Sequence, residues 1–365
     1  MGEVCSSLLG GAPVIDKKSL AEQEEINRNI EKDLLVEKKK KILKLLLLGP
    51  GDSGKSTTLK QIRIIHDQGF SDEERRQRRF IIYMNLIQGI VDVVRGIEAL
   101  ELAYQIPISE QYAIDIVAYH ESQRQVDTTE LNEQVANAIA RLLQEPAIQQ
   151  VIARSTEVLM DDSSVYFLKN FDRIRNPDYL PSQDDILKSR VPTSGVVQFS
   201  FFIKNFTFKV FDVGGQKAQR RKWVHIFDDV HAVLFITSLS DYNQLLQEDG
   251  RTNRMKDAID LFDQICNIEW FSNTAMILFL NKIDLFAEKI KLYNITIALK
   301  NYRGPQEYRP ALDYITKKFK QVNKNAKRHI YTHETCATDT KAIQVVIDSV
   351  IDIVIQQTMS KVGIQ

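Results

Sequence analysis

Apolar residues in this chain follow two different periods, and the change between them divides it. Ile42 to Leu48 is an apolar run, interrupted by Lys44 and closed by Gly49, which predicts a strand buried on both faces, and Thr57 to His66 continues as a helix. From about Gly69 to Leu180 the period is helical. Ser71-Asp72-Glu73-Glu74 is a capping box, S-x-x-E, and Ile87, Ile90, Val91 and Val94 behind it keep the i, i+3, i+4, i+7 spacing. Leu131, Val135, Ala138, Ile139 and Leu142 mark a second helix, while Pro107 and Pro146 read as breaks. No strand pattern intervenes, so 69–180 is expected to be an all-helical insertion.

Strand patterns return after Pro181. Phe199, Phe201 and Ile203 alternate with Ser200, Phe202 and Lys204, and Lys204-Asn205 turns the chain into a second strand, Thr207 to Asp212, which predicts a hairpin. Apolar runs follow at 232–236, 275–280 and 329–331, separated by helical stretches of which 254–266, 310–320 and 339–357 are the plainest. Strands alternating with helices predict an α/β fold: a mostly parallel sheet of six strands covered on both faces, with the helical insertion attached. The expected division is a tail and helix at 1–41, a first part of the α/β domain at 42–68, the insertion at 69–180, and a second part at 181–365.

Composition narrows the picture. With 365 residues, 44% hydrophobic and 26% charged, the chain can bury a substantial core. A formal net charge of zero supplies no general field for nucleic acid, so no such partner is expected. Cys5, Cys266 and Cys336 are too few and too scattered for a disulfide framework or a zinc site. No run of 18 apolar residues is present, so no membrane span is expected.

The N-terminus points to a membrane by another route. Met1-Gly2-Glu3-Val4-Cys5-Ser6 fits M-G-x-x-x-[ST], the pattern for myristoylation of Gly2; the alternative is a polar tail. One myristoyl chain holds a membrane only marginally, and a second acyl chain on Cys5 makes the anchor stable. Together they predict peripheral, lipid-anchored placement on the cytoplasmic face of the plasma membrane. Behind them, Leu20, Ile26, Ile30 and Leu34 give the charged stretch from Lys17 to Lys41 a thin helical stripe, suited to weak docking or to a partner's groove. Lys38 to Lys41 is either a solvated basic face or an attraction to anionic lipid.

The chemistry sits at strand ends, where ligands bind in such sheets. Gly49-Pro50-Gly51-Asp52-Ser53-Gly54-Lys55-Ser56-Thr57 satisfies G-x-x-x-x-G-K-[ST], a loop whose N–H groups and following helix cradle a polyphosphate. Lys55 would reach the β- and γ-phosphates and Ser56 would hold Mg²⁺. Asp212-Val213-Gly214-Gly215-Gln216 is a common turn when alone. Here Asp212 can hold Mg²⁺ through water, Gly215 can bring its N–H to the γ-phosphate, and Gln216 can orient an attacking water. Asn281-Lys282-Ile283-Asp284 offers a carboxylate to guanine N1 and N2, with Asn281 on the base edge and the Lys282 stem over its face. Thr335-Cys336-Ala337 adds an N–H, from Ala337, for guanine O6. In this order, each after an apolar strand, the motifs predict GTP and GDP as substrate and product, with Mg²⁺.

This set of motifs, spread through nearly the whole chain, resembles the α subunit of a heterotrimeric G protein. The resemblance includes the helical insertion, Asp185 to Gly195 as a first switch segment, Lys222-Trp223 after the second, and Asp162-Ser163 opening a helix late in the insertion. It implies a P-loop GTPase domain in which Arg190 meets the charge that moves as the γ-phosphoryl group leaves, and Thr193 gives its hydroxyl to Mg²⁺. Leu187, Lys188, Cys336 and Thr338 join the nucleotide contacts by the same resemblance. It implies partners too: a βγ dimer on the N-terminal helix and second switch, a seven-helix receptor at the C-terminal helix, an effector, and regulators that accelerate hydrolysis.

Some positions depart from the family. Asp52 and Asp257 stand where glutamate is usual, so pairing with Arg190 and with Arg220 must span the lost methylene; Gln219 also replaces a glutamate. Pro192 resembles the phospholipase-coupled class, Val362 stands where the inhibitory class has cysteine, and the tail fits neither closely. Two rivals remain at this level: an inert GTP-holding scaffold, and an ATP-dependent kinase built on the same loop.

Overall fold

A computed structural model describes residues 41–122, 131–155, 157–158 and 160–361. The readings at Gly2, Cys5, the 17–40 stripe and Val362 lie outside them.

Six strands form one sheet: β1 (Lys41–Leu48), β2 (Val196–Ile203), β3 (Phe206–Val213), β4 (Ala232–Ser238), β5 (Ala275–Asn281) and β6 (Ile330–Thr335), in the order β2-β3-β1-β4-β5-β6. Only the β2–β3 pair is antiparallel. Lys204 and Asn205 join it with φ of 47° and 67°, two left-handed residues of the kind that match a hairpin to the strand twist. The continuous apolar runs have the reason expected of them. Leu43, Leu45 and Leu47 of β1 face one core with Leu59 and Ile62, while Leu46 and Leu48 face the other with Phe262 and Phe319.

The order reverses at β1, with β3 on one side and β4 on the other. The crevice at its carboxyl end is therefore the expected ligand position, and the phosphate loop starts there.

Within 69–180 the described residues contain helices and no strand, and Ile82 to Tyr179 supply a core of their own. The Ser71 capping box forms with both bonds, Glu74 N–H to Ser71 Oγ at 3.3 Å and Ser71 N–H to Glu74 Oε2 at 3.0 Å. Pro146, read as a break, opens the helix Pro146–Ala153, where its missing N–H costs nothing. Pro310 likewise falls inside the first turn of Tyr308–Gln321. Among the described residues two helices, Asp72–Ala99 and Thr340–Ser360, are long and apolar enough to cross a bilayer. The first buries Ile82, Leu86 and Ile90 in the insertion core, the second Ile343, Ile347 and Val354 against the sheet.

Candidate nucleotide site

The loop after β1 turns with Gly49 at φ 143°, Asp52 at 60° and Gly54 at 101°. A side chain at Gly49 would lie 2.0 Å from the Ile236 carbonyl, so the turn is closed to anything larger. The helix Lys55–His66 begins without a side-chain cap, leaving its first N–H groups for an anion. Lys55 is buried; its ammonium donates to the Gly49 and Pro50 carbonyls at 3.1 and 2.7 Å. Burial pulls its pKa down to about 8 against the attraction of Asp212 and Asp52. An arriving phosphate restores the charge that burial penalises.

Three oxygen donors meet beside Lys55. Ser56 Oγ donates to Asp212 Oδ2 at 2.5 Å and lies 3.0 Å from Thr193 Oγ1, and Thr193 Oγ1 donates to the same Oδ2 at 3.4 Å. Asp212 is 1% exposed, and its Oδ1 is buried with no hydrogen-bond partner. Burial pushes this carboxyl above its ordinary range, the opposite of what a satisfied structural carboxylate does. Two hydroxyls and a carboxylate with one oxygen orphaned suit a hard divalent cation such as Mg²⁺.

Above this cluster the segment expected to be the second switch is tied down. A Cβ on Gly215 would stand 2.3 Å from Lys55 Nζ, so only glycine allows the backbone that close. Arg220 donates through Nε to the Gly215 carbonyl at 3.0 Å and pairs with both oxygens of Asp257, at 3.2 and 2.6 Å; Trp223 Nε1 donates to the Gly214 carbonyl at 2.8 Å. The shorter Asp257 spans the distance. Gln219 Oε1, by contrast, is buried without a partner, and nothing in the structure explains its placement. Gln216 is exposed on the cleft's edge.

Arg190 faces the loop from the other side, and its side chain pairs with Asp52 at 2.8 Å and with Asp161. The lost methylene at position 52 is no obstacle. Asp52 also pairs with Arg254 at 2.6 Å. Burial works to raise the Asp52 pKa, but Arg190, Arg254 and Lys282 outweigh it and hold the carboxyl below the usual range. The Arg190 backbone is clamped by Asn85, which accepts from its N–H at 2.6 Å and donates to its carbonyl at 2.8 Å. Lys60 donates to the carbonyls of Ile186 and Ser189 at 2.8 and 2.7 Å, pinning the approach to the switch. Asp185, fully buried, accepts from Arg173, Tyr166, Tyr179 and the Ser182 N–H, which fixes the helix Gln183–Lys188 before it.

At the opposite end, Asn281 is a strut. Its Nδ2 donates to the Ser53 carbonyl at 2.9 Å, and its Oδ1 accepts from Thr335 Oγ1 at 3.1 Å and the Ala337 N–H at 3.0 Å. The sequence reading gave that N–H to guanine O6 and the asparagine to the base edge; in this structure the two bond to each other. Lys282, at φ 59°, pairs with Asp162 of the insertion at 2.8 Å. Asp284 is exposed in the first turn of Ile283–Lys289.

Lys55, Ser56, Arg190, Thr193, Asp212, Gln216 and Asp284 line one cleft of about 750 Å³, and the ties described around them stand behind its wall. Of the residues assigned to nucleotide or metal from the sequence, Ser53 alone is not on its wall, its carbonyl being taken by Asn281. The supporting roles of Asn85, Lys60, Asp161, Arg254 and Asp185 were not read from the sequence, Asp185 being read only as the start of the first switch segment. Of these only Asp185 carried a local signal, the S-x-x-D box with Ser182.

Comparison with known proteins agrees with the geometry. Residues 21–354 match the G-protein alpha subunit family. The guanine nucleotide-binding protein alpha-8 subunit of Caenorhabditis elegans is 55% identical over 367 residues, covering 100% of both chains. The alpha-3 subunit of the same organism is 45% identical (94% of this chain, 98% of that one), and the G(o) alpha subunit of Locusta migratoria 42% (96% and 98%). The chain thus belongs to the heterotrimeric G-protein alpha subunits, guanine nucleotide-binding GTPases that act as GTP-dependent signal transducers.

Proposed function

We propose that this chain runs the GTPase cycle with the residues gathered in the cleft, in a body divided as 42–68 plus 181–365 for the GTPase domain and 69–180 for the helical insertion. What most supports the reading is the convergence of Ser56, Thr193 and Asp212 beneath a rim that carries Arg190 and Gln216. Lys55 and the loop N–H groups of Gly51 to Thr57 hold the phosphates. Ser56, Thr193 and, through water, Asp212 would hold Mg²⁺, which when bound neutralises phosphate charge. Gln216 orients the attacking water and Arg190 meets the shifting charge. Asp284 reads the guanine edge, with Lys282 over the base and Cys336 to Thr338 closing the site; Asp162, Ser163, Leu187 and Lys188 cover the nucleotide from the insertion side. Departure of the γ-phosphate frees Thr193 and Gly215, so both switch segments relax together.

Family membership implies a βγ dimer and a receptor as partners, and peripheral association with membranes. We assign βγ to the N-terminal helix and second switch, a seven-helix receptor to the helix Thr340–Lys361, and an effector and GTPase-accelerating regulators to the GTP state. Single-turnover GTP hydrolysis should proceed at about 10⁻² per second, the figure known for enzymes of this family that carry their arginine in cis. GTP left intact for hours would favour the inert scaffold. Gly2 and Cys5 are assigned the acyl anchor on the cytoplasmic face of the plasma membrane. Gly2→Ala is expected to move most of the protein into the soluble fraction of lysed cells, and unchanged partition would remove this mechanism.

A further inference from the structure

The guanidinium of Arg190 is committed at both ends. Its Nη2 pairs with Asp52 at 2.8 Å and its Nη1 with Asp161, while Asn85 fixes the backbone from which it projects. The two carboxylates belong to different parts of the molecule: Asp52 to the phosphate loop, Asp161 to the position just before the insertion helix Asp162–Lys169.

Asp161 is placed to do something else. It is the N-cap of that helix, with extended backbone angles of −70° and 141°, where an aspartate ordinarily accepts an N–H from the first turn. No such bond forms. The carboxylate turns to Arg190 and leaves its own helix uncapped. Asp52 has a second partner in Arg254, at 2.6 Å. Among the described residues Asp161 makes no other ion pair, so it loses its counter-charge when Arg190 leaves.

We propose that Asp161 is a positioning residue that holds Arg190 in a resting place, so that the insertion restrains the rate of GTP hydrolysis. The inference rests on Arg190 acting at the γ-phosphate. To meet the developing charge there, the guanidinium must withdraw at least one fork of its donors from a carboxylate. Separation from Asp161 leaves a half-buried negative charge unpaired, which raises the barrier to that movement. The insertion would thereby set the waiting time of the bound GTP through one side chain rather than through its bulk.

The test is Asp161→Asn in the full chain. Asparagine has the same shape and caps a helix at least as well, so folding is expected to be retained, and the guanidinium loses one of its two charged partners. Single-turnover hydrolysis should rise three- to tenfold, and the same substitution on an Arg190→Ala background should change nothing. A rate at or below wild type would overturn the proposal, as would an acceleration that persists without Arg190. Arg190→Ala by itself separates the two readings. If it slows hydrolysis while Asp161→Asn does not accelerate it, the restraint fails and the arginine stands; if it leaves hydrolysis unchanged, both fall.

Discussion

In Arg190→Ala, single-turnover GTP hydrolysis is expected to slow by about 10³-fold, a barrier increase of about 4 kcal/mol, with nucleotide affinity altered by less than tenfold. The asymmetry follows from which groups act when. On the proposed assignment Lys55 and the N–H groups of the loop would hold the phosphates in the ground state, and the substitution leaves them untouched. The guanidinium contributes where negative charge moves, so its loss appears in the chemical step. Asn85 bonds only the backbone at 190, so the path of the switch segment is kept. Phosphate release after rapid mixing gives the rate, and titration with a fluorescent GTP analogue gives the affinity. A slowdown below threefold, or an affinity loss that matches the rate loss, would assign Arg190 to binding or to structure.

Asp284→Asn should exchange the base the protein prefers. A carboxylate accepts both guanine N1–H and N2–H, whereas an amide offers one acceptor for N1–H and a donor that faces the N2 amino group unproductively. A site built for a polar edge rejects the mismatched base by roughly 10⁴-fold, and the converse gain goes to xanthine, which presents a carbonyl where guanine has its amino group. Asp284 is exposed in the first turn of Ile283–Lys289, so the exchange disturbs no core packing. Competition of GTP, XTP and ATP against a bound analogue reads the result. Retained preference for GTP would move guanine recognition elsewhere, and preference of the parent protein for ATP would revive the kinase reading.

The parts of this molecule that were legible in its sequence are those with local causes. β4 and β5 read as unbroken apolar runs because every residue in each is buried. β6 showed only as a short run at 329–331, since Thr332, His333 and Glu334 extend it with polar residues on a partly exposed ladder. The phosphate loop and guanine motifs could be read because their chemistry needs neighbours in sequence. The supports could not. Asn85 reaches Arg190 across 105 positions, and Asp52 reaches Arg254 across 202; no periodicity encodes such pairs. The shortened Asp52 and Asp257 both find their arginines, because what decides reach is the placement of the facing backbone.

The strut at Asn281 makes two distant motifs one mechanical part. A Cβ on Gly54 would lie 2.2 Å from Asn281 Nδ2, and the amide's other end holds Thr335 and Ala337. Gln61, nearly two turns along the phosphate-loop helix, adds a second tie to the Ala337 carbonyl at 2.9 Å. The loop assigned to phosphate and the loop assigned to the base are therefore laced together, and slack introduced in one is transmitted to the other. Lesions at 54, 61, 281 and 337 should behave as a single genetic unit, each masking the next, and a displacement that starts at the far end of Thr340–Lys361 would reach the phosphates by way of the seat of the base.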